Sequence, residues 1–238
     1  MKTYASAVSV LDVQALLGEC PVWSAGEGAL YFTDILAPCI HRFDPASGAH
    51  SNLGMPEHIG CFGLRKGGGF VAAMRTGVFL LDEQGRVTRK VADNPTDPAR
   101  SRFNDGRVDP WGRFWCGTIW QPRDDPHGKL CRLNPDLSFR VVADGVLVSN
   151  GLAFSPRRDR MYHADTPNHV VYVYPLDPVT GEPGSRATWK HFPRGHRRPD
   201  CAAVDSDGCY WSALFDGGRV VRYSPEGEPV AEVPLPVR

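Results

Sequence analysis

Residues 28–35 read GALYFTDI, a turn glycine followed by a strand-like segment that carries an aromatic side chain. The pattern returns as GGFVAAM at 68–74, GRFWCGT at 112–118, DRMYHADT at 159–166 and GCYWSAL at 208–214. Aligning the five aromatic side chains gives spacings of 39, 45, 47 and 49 residues between Tyr31, Phe70, Trp115, Tyr162 and Trp211. This period is typical of a β-propeller, in which each repeat forms one four-stranded blade. The sequence therefore predicts an all-β fold.

Turn residues separate short strand-like segments along the whole chain. Asp-Pro, Asn-Pro and Ser-Pro pairs end the second strand of several repeats, at 44–45, 134–135, 177–178 and 224–225. These dipeptides favour turns, and helical periodicity is almost missing. Because neither a linker nor a change of composition divides the chain, we predict one propeller domain over residues 1–238.

The composition excludes several classes of function. The chain has 238 residues and a formal net charge of 0, so we expect no binding to nucleic acid or to an anionic membrane surface. No apolar run approaches the ~20 residues that span a bilayer, and the N-terminus is a poor signal peptide. Seven scattered cysteines without a C-x-x-C pair favour a reducing, cytoplasmic location. The sequence does not indicate an oligomeric state.

A polar side chain recurs at one place in four of the five repeats. Glu19 and Asn150 lie 12 residues before the aromatic residue of their repeats, and Asn104 and Asp200 lie 11 before theirs. In the second repeat this place holds His58 and Ile59. Equal spacing predicts an equal position in each blade, on the innermost strand facing the central channel. We therefore expect these oxygen-bearing side chains to converge.

Two interpretations of such a channel compete, because propellers support many functions. The polar residues either bind a divalent metal and do chemistry, or they solvate the channel of a protein-interaction platform. One Glu, one Asp and two Asn form an oxygen-rich, anionic set, with Arg102 as the one nearby cation in the sequence. Carboxylates that lie close together repel, and a bound cation relieves that repulsion. Oxygen ligands suit one divalent ion of Ca, Mg or Mn, with Zn also possible.

Four segments closely resemble the gluconolactonase family, which includes regucalcin and bacterial sugar lactonases. They are LGECPVWS at 17–24, SRFNDGRVDPWGRFWCGT at 101–118, SNGLAFSP at 149–156 and RPDCAAVDSDGCYWSA at 198–213. The resemblance implies a six-bladed propeller that hydrolyses aldonolactones with one divalent metal ion. It also implies that Glu19, Asn150 and Asp200 bind the metal, and that Arg102 and Asn104 contact the sugar.

The sequence departs from the family pattern at three places. Cys201 stands where relatives have glycine, and a Cβ there would crowd the backbone if its φ were positive. An acidic substrate contact of some relatives is replaced by the segment 119–122, in which Gln121 can hydrogen-bond substrate and Trp120 can stack on a sugar. The chain stops about one blade short of its relatives. We therefore expect about five blades with the last one missing, and a strand over residues 5–13 belonging to that last blade.

The residue inventory predicts a mechanism. There is no G-x-S-x-G elbow, so acyl-enzyme chemistry is unlikely to be used. In a lactonase the metal would polarise the ester carbonyl, Asp200 would act as general base, and Arg102 and Asn104 would orient the sugar lactone. The alternatives are a non-catalytic propeller of the regucalcin type that binds calcium or a metabolite, and an esterase or phosphotriesterase with the same metal site.

Overall fold

The computed structural model describes residues 1–195 and 197–237. Within them it contains 21 β-strands and one short 3-10 helix, Thr166–Asn168, which confirms the predicted all-β class. The chain forms two compact units. The N-terminal unit comprises Val10–Val108 and Gly112–Gly145, and the C-terminal unit comprises Met1–Ser9, Asp109–Trp111 and Val146–Arg238.

The N-terminal unit contains three four-stranded antiparallel sheets, each with its strands paired in chain order. Blade one has β2 (Gly18–Ser24), β3 (Ala29–Asp34), β4 (Cys39–Phe43) and β5 (His50–Gly54). Blade two has β6 (Ile59–Leu64), β7 (Phe70–Met74), β8 (Gly77–Leu81) and β9 (Val87–Asp93). Blade three has β10 (Ser101–Val108), β11 (Phe114–Trp120), β12 (Gly128–Leu133) and β13 (Phe139–Val146). The first strand of blade two, β6, contacts both β2 and β10, so the first strands are the inner strands of this unit.

The C-terminal unit contains two blades of the same kind. Blade four has β14 (Ser149–Phe154), β15 (Arg160–Asp165), β16 (Val170–Pro175) and β17 (Ala187–His191). Blade five has β18 (Arg198–Val204), β19 (Tyr210–Phe215), β20 (Arg219–Tyr223) and β21 (Pro229–Pro234). A two-residue strand, β1 (Lys2–Thr3), adds to blade five by pairing parallel with β21. The inner strands β14 and β18 contact each other.

The repeated aromatic residues lie on the second strand of each blade, as the alignment predicts. Tyr31 and Phe70 are buried in the core of the N-terminal unit, and Tyr162 in that of the C-terminal unit. Trp115 is fully buried on β11, and Trp211 is partly exposed on β19. Strand alternation places these rings between sheets, where each large ring removes apolar surface from water.

The cysteines fill the core and do not form disulfides. All seven are free thiols, and five of them, including Cys20, Cys61 and Cys116, are buried. Burial raises the pKa of the Cys20 thiol to about 12 and raises that of Cys61 and Cys116 well above the usual value. These three thiols therefore stay protonated at neutral pH and act as small apolar filler.

Each inner strand carries a shift in its pairing register with the second strand. On β2 and β14 the shift begins directly after Glu19 and Asn150. On β10 and β18 it includes Asn104 and Asp200. The predicted equal position is therefore wrong by one residue, and the spacings of 12 and 11 mark two adjacent places at one bulge. Because a bulge changes the direction in which side chains point, it sets where these four residues project.

The expected strand over residues 5–13 is wrong. Those residues form no strand, and the chain pairs with blade five at Lys2–Thr3 and through backbone hydrogen bonds from Tyr4 and Ala7 to β21. In this segment of the described chain, the strand pairing is limited to Lys2–Thr3, and residues 5–13 belong to no sheet. The crowding of the backbone by the Cys201 Cβ does not arise, because the φ of Cys201 is not positive.

Candidate active site

The predicted site residues lie at one end of their blades, where the inner strands begin. Glu19, Asn150 and Asp200 are each within three residues of the start of β2, β14 or β18. Arg102 and Asn104 are the second and fourth residues of β10. Since strands alternate in direction, the turn between the second and third strands lies at this same end of each blade.

Asn150 and Asp200 form a directly bonded pair in the C-terminal unit. Asn150 Nδ2 donates to Asp200 Oδ1 at 2.6 Å and to Thr166 Oγ1 at 2.9 Å. Thr166 Oγ1 in turn donates to the carbonyl oxygen of Pro199 at 2.7 Å. The carboxylate can only accept, so the amide nitrogen must face Asp200 and the amide oxygen Oδ1 faces the other way. Two of the four polar residues that the spacing singled out, Asn150 and Asp200, therefore lie in direct contact.

A glycine allows β14 and β18 to approach closely at this pair. Gly151 has a φ of +59°, and an added Cβ would lie 2.4 Å from Tyr210 Oη and 2.9 Å from the carbonyl oxygen of Asp200. Tyr210 Oη donates to the Gly151 carbonyl oxygen at 2.8 Å. Only glycine combines this conformation with this lack of space, so Gly151 fixes the distance at which Asn150 meets Asp200.

Buried polar groups support β14 from behind. Ser149 Oγ lies 2.7 Å from His163 Nε2, and burial lowers the pKa of this imidazole to about 3, with Arg186 adding to the effect. Asp165 accepts backbone N–H groups of Leu147 and Val148 at 3.2 Å each, as expected of a residue that joins strands. The start of β14 is therefore held by a neutral histidine and a carboxylate.

Glu19, Arg102 and Asn104 form the corresponding region of the N-terminal unit. Arg102 is 8% exposed, and its Nη1 donates to Asn104 Oδ1 at 2.7 Å and to the Phe103 carbonyl oxygen at 2.9 Å. Burial lowers the pKa of Arg102 to about 10, and the carboxylate of Glu19 acts in the opposite direction. Arg102 therefore remains charged at neutral pH, with its guanidinium fixed toward Asn104.

Gln121 is held by an arginine that the sequence analysis did not identify. Arg75, in the turn between β7 and β8, donates from Nη1 to Gln121 Oε1 at 3.1 Å and from Nη2 to His58 Nδ1 at 2.9 Å. A guanidinium only donates, so Nδ1 of His58 accepts and the imidazole is neutral. Burial lowers the pKa of His58, and Arg75 and Arg102 lower it further.

Sequence reasoning missed Arg75 and Thr166, and it misjudged Trp120. Arg75 lies in a two-residue turn between strands, outside the spacing that singled out the inner strands. Thr166 ends a quoted repeat but carries no pattern of its own. Trp120 is 7% exposed, with Arg100 over its ring and His127 at its edge, so its face is not open to a sugar. Its indole nitrogen donates to Asp124 at 2.6 Å.

The donor chemistry of the candidate residues fits a hard divalent cation. Among the described residues no three His, Cys, Asp or Glu side chains cluster, so a soft-metal site is not supported there. Asn150 is a neutral oxygen donor whose nitrogen is already committed to Asp200 and Thr166. In the C-terminal unit, an amide oxygen beside a carboxylate matches the oxygen ligands that Ca, Mg and Mn prefer.

Apolar cavities lie elsewhere. One of about 470 Å³ at the other end of blades two and three is lined by Leu64, Val71, Leu80 and Phe114 among others, and by no carboxylate. Ester hydrolysis needs groups that stabilise charge and move protons. We therefore assign function to the polar end.

Comparisons with known proteins show the family of this chain. Residues 17–238 match the family described as SMP-30/Gluconolactonase/LRE-like region. The chain belongs to this family. It is 57% identical over 230 residues to a 6-deoxy-6-sulfogluconolactonase of Pseudomonas putida, which covers 96% of this chain and 79% of the relative. It is 36% identical over 229 residues to a pentonolactonase of Haloferax volcanii, with 95% and 76% of the two chains covered.

A solved structure also matches this chain over almost its whole length. The crystal structure of a calcium-binding protein, regucalcin, from Agrobacterium tumefaciens aligns with a TM-score of 0.92 at 26% identity, covering 99% of this chain and 80% of that one. This match confirms the predicted β-propeller fold and the predicted family. No helix in the described part of the chain is long and apolar enough to cross a membrane.

Proposed function

We propose that this chain hydrolyses sugar lactones to the free sugar acids with one divalent cation bound by Glu19, Asn150 and Asp200. The observation that carries the proposal is the Asn150–Asp200 pair, bonded at 2.6 Å at the start of two inner strands. The 57% identity to a relative named as a sulfogluconolactonase supports the reaction class. The cation would be Ca, Zn, Mn or Mg, and Glu19 is assigned to it by family resemblance.

Asp200 is the proposed general base. Its Oδ1 accepts from Asn150, and Asn150 is itself held by Thr166, so the carboxylate has one fixed orientation. A fixed carboxylate can take the proton of the water that attacks the lactone carbonyl, and such catalysis contributes about 10²–10⁴-fold to rate. When bound, a divalent cation supplies Lewis-acid stabilisation of the negative charge that develops on the carbonyl oxygen.

Arg102, Asn104 and Gln121 are the proposed substrate-binding residues. Arg102 is buried and hydrogen-bonded, so its guanidinium presents donors without having to be ordered when substrate binds. Asn104 accepts from Arg102 through Oδ1, so its amide group has a fixed orientation beside the guanidinium. Gln121 is exposed and accepts from Arg75, so its own amide nitrogen is directed to solvent or substrate.

A second candidate function is binding of calcium or a metabolite without turnover. The structural match to a protein described as calcium-binding favours it. The substrate is a small molecule in the first case, and we propose no nucleic-acid or membrane partner in either. The seven free thiols support a cytoplasmic location.

Proton release at constant pH in the presence of an aldonolactone tests the proposal. We expect wild-type protein to accelerate release over spontaneous hydrolysis, and Asp200→Asn to lose about 10²–10⁴-fold of that rate. Since Asn keeps an oxygen ligand, bound cation measured by elemental analysis should fall less than turnover. The matched control is Asp207→Asn, which changes an exposed acid of blade five that pairs with Arg222. A wild-type rate equal to the spontaneous rate, with cation bound, would favour the binding protein.

A further inference from the structure

Three arginines of the N-terminal unit lie at the end that holds the site residues. Arg75 is in the β7–β8 turn, Arg102 is on β10, and Arg123 is in the loop between β11 and β12. Within residues 1–195 and 197–237, none of the three has a carboxylate oxygen within 4.0 Å. Arg100, which is close in sequence, instead pairs with Asp124 at 3.7 Å. Three guanidinium groups without a carboxylate partner therefore belong to this end of the N-terminal unit.

The Arg75 side chain is held in place by neutral acceptors. Its guanidinium donates to the Pro98 carbonyl oxygen and to Gln121 Oε1, both at 3.1 Å, and to His58 Nδ1 at 2.9 Å. These bonds use three of five N–H groups and leave two for a ligand. They also leave the positive charge uncompensated, because a carbonyl, an amide and a neutral imidazole carry no negative charge.

The three charges act on one another. Both Arg75 and Arg123 lower the pKa of Arg102, and Arg75 and Arg102 together lower the pKa of His58. Glu19 is the opposing charge that acts on Arg102, from beyond ion-pair distance. Mutual repulsion of this kind is unfavourable in the free protein, and a bound anion relieves it.

We propose that Arg75, Arg102 and Arg123 bind an anionic substituent of the sugar lactone, a three-oxygen group of the sulfonate type at the end remote from the ester. This inference rests on the proposed lactonase function and assigns its substrate class. The guanidinium fork matches oxyanions in a bidentate manner, and a sulfonate offers three acceptor oxygens. The relative at 57% identity is named for a gluconolactone that carries such a group at carbon six.

The test compares kcat/KM for a 6-sulfo lactone with kcat/KM for the uncharged parent lactone. In wild-type protein the ratio should favour the sulfonated lactone. Arg75→Gln should lower this ratio about ten- to a hundredfold, mainly through KM, because a hydrogen bond to a charged group is lost. The ratio for Arg75→Lys should lie between those of wild type and Arg75→Gln, since an ammonium keeps the charge but not the planar fork of donors. A 6-phospho lactone tests whether any three-oxygen anion suffices.

The matched control is Arg65→Gln. Arg65 belongs to the same blade, follows β6 at its other end, and is exposed, so this change removes the same charge away from the site. Its ratio should equal the wild-type ratio, and thermal unfolding shows whether each variant is folded. An Arg75→Gln ratio equal to that of wild type, in a folded and active enzyme, would overturn the inference. A wild-type protein inactive on both lactones would instead overturn the proposed function.

Discussion

The bulges of β18 and β10 occupy the same place in their blades but hold side chains with different partners. On β18 the bulge presents Asp200, which pairs with Asn150. On β10 it presents Asn104, which is bonded to the buried cation Arg102. In the function that we propose, the same kind of bulge serves proton transfer and cation binding in one unit and recognition of substrate in the other. The difference lies in the side chains placed at the bulge, which is how one repeated blade acquires several roles.

Replacing Asn150 should have the largest effect on activity, because Asn150 belongs to the pair proposed to carry out the chemical step. Asn150→Ala removes a proposed ligand and the donor that orients Asp200. Loss of an outer-shell partner costs about 10–100-fold, so loss of a ligand should reduce kcat/KM by at least ~100-fold. Thr166→Val, which removes only the hydroxyl that holds Asn150, should cost less. Equal kcat/KM values in Asn150→Ala and wild type would contradict the role of the pair.

Replacing Arg102 should have a smaller effect, confined to recognition. Arg102→Lys cannot reproduce the two hydrogen bonds from Nη1 to Phe103 and Asn104, so KM for a sugar lactone should rise about tenfold. The effect on a small unsubstituted lactone should be milder, and steady-state kinetics on both substrates measures this. An equal loss on both would mean that Arg102 supports the loop and does not recognise the sugar.

The two units should also differ, more modestly, in their response to acid. His163 is buried with a pKa of about 3, beside Ser149, Tyr174 and Arg186, whereas an unfolded histidine titrates near 6.5. The unfolded chain binds the proton first, so stability is complete above about pH 6.5 and falls as pH decreases toward 3, by up to ~1.4 kcal/mol per pH unit.

Urea unfolding at several pH values measures this slope. His163→Gln cannot titrate and should flatten it. His58→Gln should flatten the slope less, because His58 is only partly buried, although burial also lowers its pKa. Equal slopes in His163→Gln and wild type would show that the neutral buried histidine does not determine the acid sensitivity.

Sequence periodicity predicts the blades well, because five aromatic residues at regular spacing must occupy equivalent places in equivalent sheets. The periodicity also predicts that Asn150 and Asp200 lie close together, since the inner strands of adjacent blades are neighbours. The spacings of 12 and 11 residues contain the one-residue offset between Glu19 and Asn104 but not its cause, because a bulge arises from backbone pairing and leaves no clear residue pattern.

Other features depend on contacts that a linear pattern does not contain. Arg75 acquires its place from His58 and Gln121, which are 17 and 46 residues away in the sequence. The strand over residues 5–13 was expected because this segment precedes the first inner strand and would belong to the last blade, yet strand formation depends on a partner for its backbone groups. Apolar residues there, such as Val8 and Val10, are exposed.

Restoration of activity by added cations tests the central claim most directly. The protein is stripped with chelator, and proton release from an aldonolactone is recorded as Ca, Zn, Mn or Mg is added back. We predict that stripping abolishes turnover and lowers the melting temperature, because a ligand that binds only the folded state stabilises it. At least one of the four cations should restore both. Full turnover after exhaustive stripping would contradict a divalent cation at Glu19, Asn150 and Asp200.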